Sequence, residues 1–297
     1  MILVTGGTGF IGPHVVHALR AAGHDVRALV REVDSKPAKK LADWGVEVYP
    51  GDVTNADTLR GAVAGCDTVV HLVAIMVRQE EKYERIMIGG TRDLVAAAKA
   101  AGVKRFVLMS ALGTSAEHAS VTPYFRAKWE QEQMVSGSGI PWVAFRPSLV
   151  FGPDGGSLHI FLRSLRLSPL APIIGTKRMQ PIWVDDVAAY FAAAVSAPEA
   201  ANRTYDLVGP DVVSWDELYD RIKRVLGKKR LTFHLPIGIA RAGAAVVERL
   251  PTSLPLTRDS LTMLELEDSV GDPGPASEAF GVQSITLDEQ LRRAVTK

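Results

Sequence analysis

Thr5-Gly6-Gly7-Thr8-Gly9-Phe10-Ile11-Gly12 lies between a short apolar run, Ile2–Thr5, and an amphipathic stretch over residues 13–22. The run reads as a strand, and the stretch as a helix opening on Pro13. Three glycines at this spacing have separate duties. Gly6 permits the tight turn, Gly9 lets the backbone approach a pyrophosphate, and Gly12 lets the helix pack close on the strand. Thr8, Phe10 and Ile11 fill the same turn, and the helix behind it presents N–H donors and a partial positive charge. A turn of this kind holds the phosphates of a dinucleotide.

Outward from that turn, short β-branched runs alternate with helical patterns. Strands are expected at 26–30, 46–49, 68–73, 106–109 and 142–145, with helices at 38–44, 58–64, 83–101 and 124–135. The alternation predicts an α/β fold, a Rossmann-type doubly wound parallel sheet. After Pro147 the pattern loosens and Pro and Gly become dense as far as Pro181. The expected organisation is a dinucleotide-binding domain over 1–150, with 180–197 returning to it. A smaller lobe for substrate or partner is expected from 151–179 and 198–297. Ser214-Trp215-Asp216-Glu217 and Thr286-Leu287-Asp288-Glu289 both fit a capping box.

Composition narrows the classes of function. The 34 Lys and Arg against 33 Asp and Glu leave a net charge of +1 over 297 residues, so nucleic acid is not an expected partner. The single Cys66 excludes an internal disulfide and a Cys-based zinc cluster, and fits a reducing, cytoplasmic setting. No run reaches the ~18 apolar residues of a membrane span, 187–195 being Ala-rich and too short, and no signal-peptide pattern opens the chain. His14 and His17 share a helix face without a third ligand nearby, so no metal is expected. No G-x-S-x-G elbow supports a hydrolase. The amphipathic 237–250 stretch reads as core packing, with membrane-surface or partner docking as its alternative.

Five ordered stretches carry a resemblance. Gly6, Gly9 and Gly12 fall on a TGxxGxxG turn; Asp52-Val53 follows the third strand, and His71-Leu72-Val73-Ala74 the fourth. Arg146-Pro147-Ser148-Leu149-Val150-Phe151-Gly152-Pro153 is similar to an RPxxVYGP signature, and Val184-Asp185-Asp186-Val187 to a later VDDV. The chain resembles the extended and atypical short-chain dehydrogenase/reductases, which are NAD-dependent epimerase/dehydratase-like. The resemblance implies adenine contacts at Asp52 and Val53, and a cofactor cleft lined by Leu72, Val73, Ala74 and Pro147. NAD-specific members end the second strand with an acid. Here Val30 stands there and Arg31 follows, with Lys36, Lys39 and Lys40 nearby. A guanidinium suits a 2′-phosphate, so NADP(H) is expected over NAD(H), the alternative being a solvated basic edge.

Tyr124-Phe125-Arg126-Ala127-Lys128 carries the family's YxxxK pair, with Thr122-Pro123 as helix cap and first residue. Tyr124 and Lys128 then lie one turn apart on one face. The resemblance implies that Tyr124 is the acid/base and that Lys128 lowers its pKa and contacts the nicotinamide ribose. Two positions depart from the pattern. Leu112 or Ala111 aligns with the catalytic Ser/Thr, Ser110 falling early and Thr114 and Ser115 following in the loop, while Met87 aligns with the helix-four Asn. These departures are similar to the group containing the NADPH-binding accessory subunit of respiratory complex I. That group also carries counterparts of Ser110-Ala111-Leu112-Gly113, Pro255-Leu256-Thr257-Arg258-Asp259, Met263-Leu264 and Thr286–Leu291. Two functions follow. One is an oxidoreductase or epimerase/dehydratase passing hydride to and from a small carbonyl or hydroxyl substrate. The other is a non-catalytic NADPH-binding assembly or sensor protein, with peripheral membrane or complex I-like association. A monomer or homodimer fits either.

Overall fold

A computed structural model of the chain describes residues 1–77, 79–247, 258–266 and 268–296. The elements in chain order begin β1 (Ile2–Thr5), α1 (Gly12–Ala21), β2 (Val26–Val30), α2 (Lys36–Asp43), β3 (Glu47–Pro50), α3 (Ala56–Val63) and β4 (Thr68–His71). Then come α4 (Glu80–Lys82), a π-helical stretch (Tyr83–Gly89), α5 (Gly90–Ala100), β5 (Arg105–Met109), α6 (Pro123–Ser136) and β6 (Trp142–Pro147). The second half holds β7 (Val150–Phe151), α7 (Leu158–Leu167), β8 (Leu170–Ile173), β9 (Ile182–Trp183), α8 (Val184–Val195) and β10 (Arg203–Leu207). It ends with α9 (Trp215–Leu226), β11 (Leu231–His234), α10 (Ile237–Val247), α11 (Arg258–Leu266), α12 (Gly274–Phe280) and α13 (Leu287–Thr296).

Seven strands form one parallel sheet in the order β10-β6-β5-β4-β1-β2-β3. β1 and β5 are buried along their whole length, as parallel strands covered on both faces must be, and this is why they read as continuous apolar runs. β3 is the opposite case, an edge strand with both ends exposed and Pro50 closing it. α1 packs with α8, and α3 and α6 with α5, which gives a helical layer on each face. One core gathers Leu3, Leu59, Val69, Leu94, Phe106 and Leu108. A second is aromatic, with Phe145 edge-on to Phe191 at 5.0 Å and to Phe280 at 5.2 Å.

The chain divides into two compact units. The first comprises Met1–Pro147, Val184–Leu207 and Pro273–Gln283, and the second Ser148–Trp183, Val208–Asp272 and Ser284–Lys297. In the second, β8 pairs with β11 and β7 with β9, each pair parallel. The Ser214–Glu217 capping box is complete, with both reciprocal bonds present. At the start of α13, Asp211 takes the Leu287 N–H at 2.8 Å, while Glu289 turns to Arg292 and Arg293. Of the expected 237–250 helix, 248–250 fall outside the described residues, as do Pro255, Leu256 and Thr257. Within it, Ala240 is buried against Leu261, and Ile237 packs on the same cluster.

Two expectations need correction. The helix expected at 83–101 begins at Glu80 and runs through seven π-helical residues before α5. The adjacent Gly89 and Gly90 leave the turn free to widen, and a Cβ on Gly90 would meet Val53 Cγ2 at 3.0 Å, so Gly90 also sets how closely α5 approaches the loop after β3. β10 is a seventh strand with no counterpart in the sequence reading. Its Arg-Thr-Tyr-Asp-Leu alternates too weakly to stand out, and it is defined by pairing with β6.

Candidate active site

Gly6 adopts φ +79°, and a Cβ there would meet the backbone of Leu72 and Val73 at 3.0–3.1 Å. A Cβ on Gly12 would fall inside the van der Waals envelope of the Gly6 carbonyl and the Gly7 backbone. Gly9 differs. It donates to the Gly6 carbonyl (3.1 Å), and an added Cβ would meet only that oxygen, at 3.4 Å. Gly6 and Gly12 therefore close the turn inward, and Gly9 keeps its outer side low. α1 starts at Gly12 without a side-chain cap, since Ile11 has no acceptor to offer its first N–H groups. His14 in that first turn holds Asp185 of the VDDV stretch through Nδ1, 2.6 Å from Oδ1. His17 packs edge-on to Trp44. Among the described residues, no group of three or more His, Cys, Asp or Glu is placed to hold a metal.

Arg31 follows the last residue of β2 and is exposed, with no ion pair among the described residues. Its basic neighbours are partly engaged: Lys39 lies 3.8 Å from Asp34, and Lys40 sits over the Trp44 ring. Asp52 accepts from the N–H (2.8 Å) and hydroxyl (2.9 Å) of Thr54, which stiffens the loop after β3. Val53 beside it is buried. From β4 outward, Leu72 is buried, Val73 half-buried and Ala74 exposed. Pro147 closes β6, and its carbonyl takes the Leu112 N–H at 3.0 Å.

α6 begins as expected, with Thr122 Oγ1 accepting the Phe125 N–H. Lys128 is fully buried and donates from Nζ to the Met109 carbonyl at 2.7 Å, with Nζ 6.0 Å from the centre of the Tyr124 ring. Tyr124 is half-buried and packs on a cluster that holds Tyr83, Met87, Ile75 and Val77. Burial, and then the neighbouring Tyr83, push its phenol above the usual tyrosine range, the reverse of the lowering by Lys128 that the resemblance implies. Burial lowers Lys128 to about 7, opposed by Glu132.

A buried polar network, which the sequence reading missed, adjoins this pair. Thr5 Oγ1 lies 2.6 Å from His71 Nδ1, and His71 Nε2 lies 2.9 Å from Thr91 Oγ1. Thr91 donates to the Met87 carbonyl (2.6 Å) and accepts from Gln131 Nε2 (2.7 Å). Because the one Thr91 proton goes to Met87, the network assigns the imidazole proton to Nε2, and the Thr5 hydroxyl donates to Nδ1. His71 stays neutral, lowered to about 3 by burial and by the Lys128 charge. Met87, at the position of the family's Asn, thus contributes its backbone carbonyl from the π-helical stretch. Ser110 is buried and donates to Thr114 Oγ1 at 3.3 Å, and Thr114 donates to the Ala111 carbonyl. Ser115 accepts the His118 N–H. Arg146 of the RP signature forms a two-pronged ion pair with buried Glu132, at 2.9 and 2.6 Å, which ties β6 to α6.

Residues 1–272 match the NmrA-like family. A ceramide reductase of Caulobacter vibrioides is 32% identical over 250 residues, covering 83% of this chain and 77% of that protein. The mitochondrial NADH dehydrogenase [ubiquinone] 1 alpha subcomplex subunit 9 of Rattus norvegicus is 28% identical over 307 residues, covering 98% of this chain and 79% of that subunit. The NADPH-dependent quinone oxidoreductase QOR2 of Escherichia coli, solved with NADPH, superposes with a TM-score of 0.80 at 24% identity, covering 98% of both chains. No helix among the described residues is long and apolar enough to cross a membrane.

Proposed function

From its membership of the NmrA-like family, to which this chain belongs, we propose that the protein is an NADP(H)-dependent reductase of a small carbonyl-type substrate. The observation that carries this reading is the Tyr124–Lys128 pair, seated one turn apart on α6. The glycine turn fits a dinucleotide: Gly6 and Gly12 admit no Cβ, and Gly9 is open on its outer side. Gly6, Gly9 and Gly12, with Thr8, Phe10 and Ile11, would hold the pyrophosphate, Arg31 the 2′-phosphate, and Asp52 and Val53 the adenine. Leu72, Val73, Ala74 and Pro147 would line the remainder. Bound nicotinamide supplies the hydride. Tyr124 then gives its proton to the substrate oxygen as negative charge develops there. The phenol is protonated before the transfer, as the reductive direction requires, and because burial holds it above its usual range the tyrosinate needs a cation beside it to form. Lys128, anchored on Met109, places a cation beside the emerging tyrosinate. Ser110 is the serine nearest the expected donor position in sequence, and in this reading it helps polarise the substrate oxygen once released from Thr114.

Steady-state kinetics with NADPH and a panel of ketones, quinones and azo compounds test the assignment. Tyr124→Phe should abolish turnover and leave NADPH affinity nearly unchanged; turnover like that of the wild type would refute it. The engagement of Ser110 by Thr114 supports a second reading, in which the protein holds the nucleotide without consuming it. The complex I subunit, similar along almost the whole chain, supports the same reading. Under it NADPH co-purifies, stabilises the fold and is not oxidised by any substrate. Oxidation dependent on Tyr124 would eliminate that reading.

A further inference from the structure

Residues 155–184 contain no Asp or Glu and include Arg163 and Arg166; residues 221–247 contain none either and include Arg224, Lys228, Lys229 and Arg230. In a chain whose charges balance as a whole, this is a segregation of cations into two stretches, and the second unit sets them side by side. β8 and β11 pair with Leu170 opposite Leu231 and Pro172 opposite Phe233. Arg230 clasps the end of α7, donating to the carbonyls of Leu165 (3.0 Å) and Arg166 (3.3 Å).

Alternate residues of a strand face opposite ways, so the ribbon has two distinct faces. Ala171 and Ile173 of β8 are buried. Leu170, Leu231 and Phe233, on the opposite face, are exposed, Leu231 at 73%, and so is Leu167 at the end of α7, also at 73%. A lone exposed leucine means little, but a contiguous apolar face on a ribbon whose β8 strand is core on its other side marks an interaction surface. Its border is cationic. Arg224, Lys228 and Lys229 are exposed and have no acidic partner among the described residues. The acids of neighbouring α9 are already committed, Asp220 to Lys223 at 2.7 Å and Asp216 to His234 at 3.0 Å, and Asp211 just before it holds Arg221 at 3.0 Å.

We propose that this face docks on an anionic lipid bilayer, with Leu167, Leu170, Leu231 and Phe233 entering the headgroup boundary and the cations facing lipid phosphates. A fluid anionic surface takes up protruding apolar groups without matched shape and counters the charge beside them. A second copy of the chain would instead bring the same cations against one another. The surface lies in the second unit, and its test does not depend on turnover.

Co-sedimentation of the full chain with phosphatidylcholine vesicles, with and without phosphatidylglycerol, reads the proposal directly. Binding to the anionic vesicles alone, weakened by salt, is expected. Lys228→Ala with Lys229→Ala should lower the partition coefficient about thirty-fold, the loss expected for two cations at an anionic surface. Leu231→Ser with Phe233→Ser should lower it at least about tenfold, with an unchanged melting temperature. Absence of binding, equal binding to both vesicles, or indifference to either pair of substitutions would overturn the proposal. So would a solution dimer that the Leu231 and Phe233 substitutions dissociate.

Discussion

Lys128→Met should make the nucleotide-free protein more stable while removing its activity. The Lys128 ammonium is wholly buried, and burial lowers it to about 7 from an ordinary 10.5. In the unfolded chain the same group titrates near its ordinary value. Between those two pH values the unfolded chain holds more protons than the native one, so this site makes wild-type stability rise with pH across the window. At and below neutrality nearly the whole penalty is present. At about 1.4 kcal/mol per pH unit, the gap corresponds to a gross cost of roughly 4–5 kcal/mol. Methionine keeps the apolar stem but leaves the Met109 carbonyl without its 2.7 Å donor, a loss of about 1–2 kcal/mol. The net expectation is a gain of about 2–4 kcal/mol near neutral pH, or roughly 3–6 °C in Tm for a chain of this size. Scanning calorimetry on both proteins from about pH 6 to about pH 10 reads it, and the advantage of the variant should shrink steadily toward the alkaline end. An unchanged or lower Tm at neutral pH, or a gain that does not vary with pH, would refute the reasoning.

Arg31→Ala should weaken NADPH about 10–100-fold, the value of a charge-assisted contact to phosphate, and leave NADH affinity unaltered; equal loss for both nucleotides, read by ligand-dependent melting shifts, would remove Arg31 from the 2′-phosphate. Gly12→Ala should lower Tm and abolish the nucleotide-dependent shift, because its Cβ meets backbone that cannot move aside. Gly7→Ala is the internal control, since its Cβ would make only ordinary contacts at 3.5–3.6 Å, and it should leave both readouts nearly intact. Glu132→Leu should cost roughly 3 kcal/mol in urea unfolding by leaving the Arg146 guanidinium unpaired, and adding Arg146→Met should restore most of it; a double variant no better than the single would mean the pair does not act as a unit.

The glycine turn and the interior strands of the first half are legible in the sequence for one physical reason. A parallel strand covered on both faces must be apolar throughout, and a turn that admits no Cβ must be glycine; both constraints are local. What is not legible is set by tertiary approach. The π-helical stretch has the same apolar spacing as ordinary helix, and β10 is a strand only because β6 offers it an edge. Tyr124 and Lys128 can be read from one helical turn. His71, Thr91 and Gln131, spread over sixty positions, give no shared pattern, although a histidine ending an otherwise apolar strand is a signal of a kind. The engagement of Ser110 by Thr114 depends on the path of the loop after β5, which its residue types do not encode.

The helix that carries the proposed chemistry shows what its residues are selected for. Tyr124, Lys128, Gln131 and Val135 fall at i, i+4, i+7 and i+11, so they share the face of α6 turned toward the sheet. Lys128, Gln131 and Val135 on that face are buried, and Gln131 Oε1 lies buried without a hydrogen-bond partner. Glu132, on the next row, is buried as well and requires Arg146 to balance it. A helix whose duty was packing alone would place leucine at 128 and 131, where apolar groups of similar volume are neutral or stabilising compared with buried polar ones. Instead the polar groups converge with His71 and Thr91 behind Tyr124, and the charged one among them is held so that it titrates near neutrality. That arrangement supports a site in which a cation must be present beside the phenol when a proton is given up. It also gives the expected gain from Lys128→Met its meaning: it measures the stability that this position gives up to keep an ionisable group next to Tyr124.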